Sequence, residues 1–463
     1  MKKIIVVLLL LTIVGTLFTA CTQENANEQS DQAIQTVDEQ SEIEESISEE
    51  SDEKIIIRYA ARSESGNIQV ARDKMFAEFE KQFPNIIVER EELPHADFWV
   101  KMPAAIASGD GPDVIELPYL EQGVTFAAKG LLAPLDSFMD GSNGIDRNDL
   151  IEEISGFGVY GGDTLLLPIA VMTTGLGYNI DMFDAAGVDY PTEDWTWDDM
   201  LNAALRLTLD ANGNSAESED FDPENIVQWG IYTWWWNSDF DLYMWTFGGD
   251  WLSEDGKSCN LDSPEVLEAL TFYGDLTQKY HVAPYVRELA PAHGHPALMD
   301  SKVAMAFVDV GNIKLVDESG INWDIAPVPY KEDVGVRAAF MYGNGIGILA
   351  DSEKKEAAWE LVKFLQSSGM DPVLAEEGYG FPPYSSEYDV LDFSPMVDVL
   401  YQMVEDGWVR GIMTSDYQGV IVDPANIFIA GALTKGEYPD YQSLLEQANT
   451  ACNVALQEAP ELP

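Results

Sequence analysis

The chain is poor in positive charge. Against 81 Asp and Glu it sets 25 Lys and Arg, a formal net charge of −56. Without clustered basic residues a phosphate-backbone partner is excluded, and anionic lipid surfaces and phosphorylated substrates are repelled. The common catalytic signatures are missing as well: there is no H-E-x-x-H, no G-x-S-x-G, no glycine-lysine phosphate loop and no dinucleotide fingerprint. Histidine is rare, and the pair His293 and His295 sits on a Gly/Pro loop without a third ligand, which is too few for a metal site. Asp210, Asn212 and Asn214 have the oxygen spacing of a calcium loop, but Ser215 stands at the sharp-turn glycine and Phe221 at the bidentate glutamate, so a hydrogen-bonded turn accounts for them and calcium there stays open. No metal and no cofactor is expected.

Apolar residues are not in short supply. At 46% hydrophobic and 11% aromatic over 463 residues, the chain can bury a sizeable core in two or three globular units. The longest apolar run, residues 4–20, follows Lys2 and Lys3 and ends in small residues before Cys21. That order is a secretory signal, residues 1–20, and the run is short of the roughly 20 apolar residues a spanning helix needs. A cysteine at that place resembles the lipobox of bacterial lipoproteins, although Phe18 stands where leucine is usual; Cys21 is then the lipidated residue. Residues 22–53 carry twelve acidic residues and no basic one, the composition of a disordered, charge-extended tether. An extracellular compartment permits a disulfide between the remaining Cys259 and Cys452, but their spacing gives no support for one.

From Lys54 onward strand-like runs alternate with amphipathic helices, the pattern of an α/β protein. Residues 55–60, 86–88 and 114–117 read as buried strands, with a helix through Met75, Phe76 and Phe79. Thr196 with Asp199 reads as a capping box, Ser263 with Pro264 as a helix opening, and Ser238 with Asp241 as another. Phe79-Glu80-Lys81-Gln82-Phe83-Pro84-Asn85, Ala107-Ser108-Gly109-Asp110-Gly111-Pro112-Asp113, Gly130-Leu131-Leu132-Ala133-Pro134-Leu135, Gly177-Tyr178-Asn179, Trp195-Thr196-Trp197 and Ala357-Ala358-Trp359-Glu360-Leu361 then follow in order. This series resembles the family-1 extracellular solute-binding proteins of sugar ABC transporters, the maltose-binding-protein-like group, over nearly everything after residue 54. The resemblance implies a two-lobed periplasmic-binding-protein-like fold of type II, with hinge crossovers and ligand in the interlobe cleft. Its crossovers divide the chain into one lobe of residues 54–167 plus 336–384 and another of residues 168–335 plus 385–463.

Residues 229–251 hold ten aromatics in twenty-three positions, including six of the twelve tryptophans. Phe240, Tyr243, Met244 and Phe247 read as core. Trp234, Trp235 and Trp236 are consecutive, so they cannot all face one core; either Trp234 or Trp236 stacks on a sugar ring's C–H face or it is ordinary packing. Matching to the family places polar contacts at Arg62 and Glu64, at Glu116 and Tyr119, and an aromatic at Tyr417. Asp309, in an apolar run with Asn312 three residues on, must be paired or face a cavity. The expected function is therefore a non-enzymatic binding lipoprotein on the extracellular face of the cell membrane. Its partners would be a carbohydrate and the transmembrane subunits of an ABC permease, with membrane contact through the lipid alone, no nucleic acid, and a monomeric state. Rival readings are a secreted glycoside hydrolase, which needs two carboxylates about 5 to 10 Å apart across a cleft, and a surface adhesin or sensor.

Overall fold

A computed structural model describes residues 54–63, 66–117, 123–146, 149–151, 154, 156, 158–233, 237–284, 294–366, 373–374, 377–384, 386, 394–411, 429 and 440–458. Cys21, Glu64, Tyr119, Trp234, Trp235, Trp236 and Tyr417 lie outside them, as do the signal and the tether. The chain opens with β1 (Ile55–Arg62), α1 (Gly66–Gln82), β2 (Ile86–Leu93), α2 (His95–Ala107) and β3 (Val114–Leu117). Strand β1 pairs in parallel with both β2 and β3, as right-handed βαβ units do. Next come α3 (Gly123–Ala128), α4 (Asp136–Met139), the hairpin β4 (Val159–Tyr160) and β5 (Asp163–Thr164), and the long strand β6 (Leu167–Asn179).

A second series runs α5 (Ile180–Ala186), α6 (Trp197–Leu207), β7 (Leu209–Asp210), β8 (Ile226–Tyr232), α7 (Asn237–Thr246), α8 (Pro264–Gln278), α9 (Gly294–Met299), β9 (Val303–Asp309), α10 (Val310–Ser319) and β10 (Trp323–Ala326). The chain then returns through β11 (Ala339–Ile348), α11 (Lys355–Phe364), α12 (Pro395–Glu405), β12 (Val409–Gly411) and α13 (Tyr441–Glu458). Local chemistry sets the boundaries. Thr196 and Asp199 close a reciprocal capping box on α6, and the Ser263 hydroxyl accepts the Val266 N–H ahead of Pro264 in α8. Helix α7 starts at Asn237, the side chain of Ser238 lies outside those described, and the buried Asp241 carboxylate accepts the Trp251 indole N–H at 2.6 Å. That pairing matters because leaving either group unpaired in the core is costly.

Strand β6 belongs to two sheets. Its first half, through Thr173, pairs antiparallel with β11, whereas Thr174 to Tyr178 pair with β9 and the last residues with β10. The sheet path therefore runs β2-β1-β3-β11-β6-β9-β8-β7. The hydrophobic cores change along the same path. One side packs Ile57, Tyr59, Phe76, Phe79, Trp359 and Phe364, while the other packs Trp197, Tyr243, Met244, Trp245, Leu270 and Val308. Phe240, Tyr243, Met244 and Phe247 are all buried there, as their helical spacing requires. Cys259 and Cys452, left open by their spacing, form a disulfide with Cα atoms 6.1 Å apart. It fixes α13 beside the segment before α8, where the amide oxygens of Asn453 and Asn449 accept the N–H groups of Cys259 and Leu261 at 3.0 and 3.1 Å. This is a two-lobed α/β architecture in which β6 and β11 are shared between the lobes. Among the described residues, no helix is long and apolar enough to cross a membrane.

Candidate functional site

The carboxyl ends of β1 and β3 carry Arg62 and Glu116. Ligands of open α/β sheets gather beyond such strand ends. Arg62 is half-buried, and its carbonyl accepts Nη1 of Arg72, from α1, at 2.9 Å. Glu116, read from the sequence as a ligand contact, lies inside a buried polar network and is 4% exposed. Its Oε1 accepts Nη2 of Arg72 at 2.8 Å, the Tyr379 hydroxyl at 3.1 Å and the Asn344 amide at 3.2 Å, while Oε2 accepts the Tyr59 hydroxyl. Burial, with the adjacent Glu116 carboxylate, pushes the Tyr59 phenol well above its ordinary range although Arg72 pulls the other way. Burial opposes the charge of Arg72, but Glu116 outweighs it and holds the guanidinium protonated. Glu116 thus anchors the end of β3 from below.

In the other lobe, Asp309 ends β9 and stands at the N-cap position of α10 without capping its backbone. Half-buried, it accepts the Asn312 amide at 2.8 Å. Its register partner is Thr174, the first residue of β6 that pairs with β9. Nearby at the sheet crossing, Met172 pairs with Tyr342, a half-buried aromatic that the sequence reading passed over. The structure so brings Arg62 and Glu116 together through Arg72, and Asp309 together with Asn312.

The two groups are linked by residues that sequence reading did not single out. The Asn67 amide, at the start of α1, donates to the carbonyls of Gly311 at 3.0 Å, Glu377 at 2.7 Å and Gly378 at 3.1 Å. The Glu377 carboxylate accepts Lys314, from α10, at 2.7 Å and also Lys74, from α1. These two lysines, Lys314 first, hold its carboxyl below the usual range. The only advance signal was scarcity: in so acidic a chain each lysine stands out, but nothing in the spacing pairs residues 74, 314 and 377.

Away from these residues, Asp210 takes the backbone N–H groups of Asn212, Asn214 and Asp222 at 2.8, 2.9 and 3.1 Å and the Asn214 amide at 3.0 Å. Its oxygens are engaged by a closed turn. Among the described residues no cluster of three or more metal-ligating side chains occurs. A cavity of about 680 Å³ opens between α6, α8 and the 330–333 segment, lined by Trp197, Phe247, Phe272, Tyr280 and Tyr330 with Asp275 and Lys331.

Two lobes with a shared pair of strands, and polar side chains at strand ends on each side of the crossing, are an arrangement suited to holding a solute between lobes. The chain belongs to the family described as bacterial extracellular solute-binding protein, which it matches over residues 65–371. It is 23% identical over 381 residues to the maltotriose-binding protein of Pyrococcus abyssi, covering 77% of this chain and 76% of that one. Among solved structures it is similar to an ABC substrate-binding protein of Listeria monocytogenes in complex with cycloalternan, with TM-score 0.77, 26% identity, and coverage of 87% of this chain and 99% of that one. The maltose/maltodextrin-binding domain of Bdellovibrio bacteriovorus bound to maltotriose shares the fold at TM-score 0.70 and 19% identity, with 87% and 99% covered.

Proposed function

We propose that the chain captures a carbohydrate, a mono- or oligosaccharide, between its lobes and delivers it to the transmembrane subunits of an ABC permease. The observation that carries this reading is the fold it shares, over 87% of its length, with the Listeria protein whose structure holds cycloalternan. Cleavage after residue 20 and lipidation of Cys21 hold it, as a monomer, on the extracellular face of the membrane. Residues 22–53 act as the tether. The lobes are residues 54–167 plus 336–384 and residues 168–335 plus 385–463. The change of hydrophobic core between Ala170 and Val171, between Met341 and Ile346, and between Tyr379 and Phe381 supports three crossovers.

In this reading Arg62, Glu64, Asp309 and Asn312 meet sugar hydroxyls. One of Trp234, Trp235 and Trp236 supplies a stacking face, with Tyr119 and Tyr417 as further aromatic contacts. Glu116 serves indirectly, because both its oxygens are already held by protein donors. Closure of both lobes gives the permease a surface that exists only in the loaded state. The test is a tryptophan fluorescence titration of the full chain with maltotriose, cycloalternan and a panel of monosaccharides, with product analysis of each mixture. A saturable shift with intact sugar supports capture, cleavage products would move the chain to the hydrolases, and silence across the panel would leave an adhesin or a non-sugar solute.

A further inference from the structure

Helices α1 and α10 are rooted in different cores: Ala71, Met75, Phe76 and Phe79 pack in the first lobe, and Val310, Ile313 and Val316 in the second. The chain itself crosses between those cores beside them, since Tyr379 packs with the first and Phe381 with the second. At this seam the Asn67 amide reaches the carbonyls of Gly311, Glu377 and Gly378, so one side chain touches both lobes and the crossing. Gly378 has φ +66°, and a Cβ there would only touch Lys314 Cβ at 3.4 Å and Asn67 Nδ2 at 3.5 Å, so it is the left-handed backbone, not lack of space, that calls for glycine at the seam. Glu377, its side chain 9% exposed, lies between Lys74 of one lobe and Lys314 of the other. In a chain with 25 basic residues, two are directed to this one carboxylate. Remove its charge and two ammonium groups from opposite lobes lose the carboxylate they share, leaving a repulsion between partly exposed cations that salt screens.

We propose that Asn67, Glu377 and Lys314 are positioning residues for the ligand site. They join the start of α1, just beyond Arg62, to the start of α10, just beyond Asp309, and set the separation of the two binding faces. The inference rests on the proposed site only for what is positioned; the joining of the lobes is read without ligand.

Spin labels at Val100→Cys and Val227→Cys, exposed positions on the two lobes, report the interlobe distance by pulsed electron resonance in the ligand-free full chain, with Cys21→Ser to remove the third thiol. Glu377→Gln is expected to lengthen or broaden that distance at low ionic strength, with the melting temperature nearly unchanged. Glu377→Asp, which keeps the charge, should restore it, and salt should shrink the difference. Should Glu377→Gln fail to fold, Lys314→Gln, at a partly exposed position, is read in its place; it cuts the Glu377 link to α10 without creating repulsion, and a smaller lengthening is expected. An unchanged distance in the substituted chain would overturn the proposal, as would parallel losses of stability in the Gln and Asp variants, which would make the seam a support of the fold. In parallel, cycloalternan titration should show roughly five- to tenfold weaker binding for Glu377→Gln, in the usual range of coupling between distant groups. A parent chain that ignores cycloalternan and every other sugar of the panel faults the sugar reading, and the distance measurement still decides this one.

Discussion

Glu116 and Asp309 are carboxylates at the ends of two sheet strands, one in each lobe, and the fold treats them in opposite ways. Strand β3 lies between β1 and β11, so the Glu116 side chain has protein on all sides and is neutralised by Arg72 within a ring of hydroxyl and amide donors. Asp309 ends its strand where the chain turns into α10, stays half-buried, and accepts the Asn312 side-chain amide. An acidic residue after an apolar run therefore carries two meanings, structural anchor or ligand group. What separates them is flanking on both sides: β1 and β11 both run beside Glu116, whereas beside Asp309 β6 continues but β8 has already ended at Tyr232.

The largest effect that separates these roles comes from Arg72→Met. Removing one partner of a buried ion pair leaves the other uncompensated, at a cost of about 3–5 kcal/mol. Chemical denaturation at neutral pH should show that loss, and adding Glu116→Gln should recover much of it; a loss below about 1 kcal/mol would place Glu116 in contact with water after all. Next in size is Cys259→Ser, which frees α13 from the body of the second lobe. Removing a crosslink that closes a loop this long is expected to cost about 2–4 kcal/mol. Calorimetry should show the second lobe melting earlier while the first, which holds no cysteine among its described residues, keeps its transition.

Much of this architecture was legible because it is local. The strand at residues 55–60, the capping box at Thr196 and Asp199 and the Ser263-Pro264 opening each depend on a few adjacent residues, and the structure has them where the sequence put them. The network around Glu116 was not legible because its members Arg72, Asn344 and Tyr379 lie 44, 228 and 263 positions away. The seam of Asn67 with Gly311 and Glu377 is invisible for the same reason, with separations of 244 and 310.

Asp309→Asn should reverse the pattern of Arg72→Met, because Asp309 lies at a lobe edge. Stability is expected to change by less than about 1 kcal/mol, whereas a lost hydrogen bond between a charged group and a sugar hydroxyl weakens affinity by about 1.5–3 kcal/mol. Fluorescence titration beside thermal melting reads both, and a fall in stability with unchanged affinity would make Asp309 a second anchor. Smaller still, Trp234→Ala and Trp236→Ala should each be tested for a loss of about 1 kcal/mol in sugar binding, the scale of one ring stacked on a C–H face. Unchanged affinity with lowered stability would return both to the core.

The smallest effect concerns a third kind of carboxylate. Asp210 is enclosed without any cation: burial raises its pKa, but the N–H groups of Asn214, Asp222 and Asn212 outweigh burial and leave it at about 2, against an ordinary 3.8. A folded-state value below the unfolded one means that the folded turn favours the charged form. Its contribution is present in full above the ordinary carboxyl range and is lost as pH falls through that range toward 2. Asp210→Asn should therefore be less stable than the parent at pH 7, with the gap closing on acidification. Because the charge is held by backbone dipoles, added salt should change the gap far less than it changes the interlobe distance governed by Glu377. A gap that persists at pH 2 would mean that the shape of the turn, rather than the charge of Asp210, is what the fold requires.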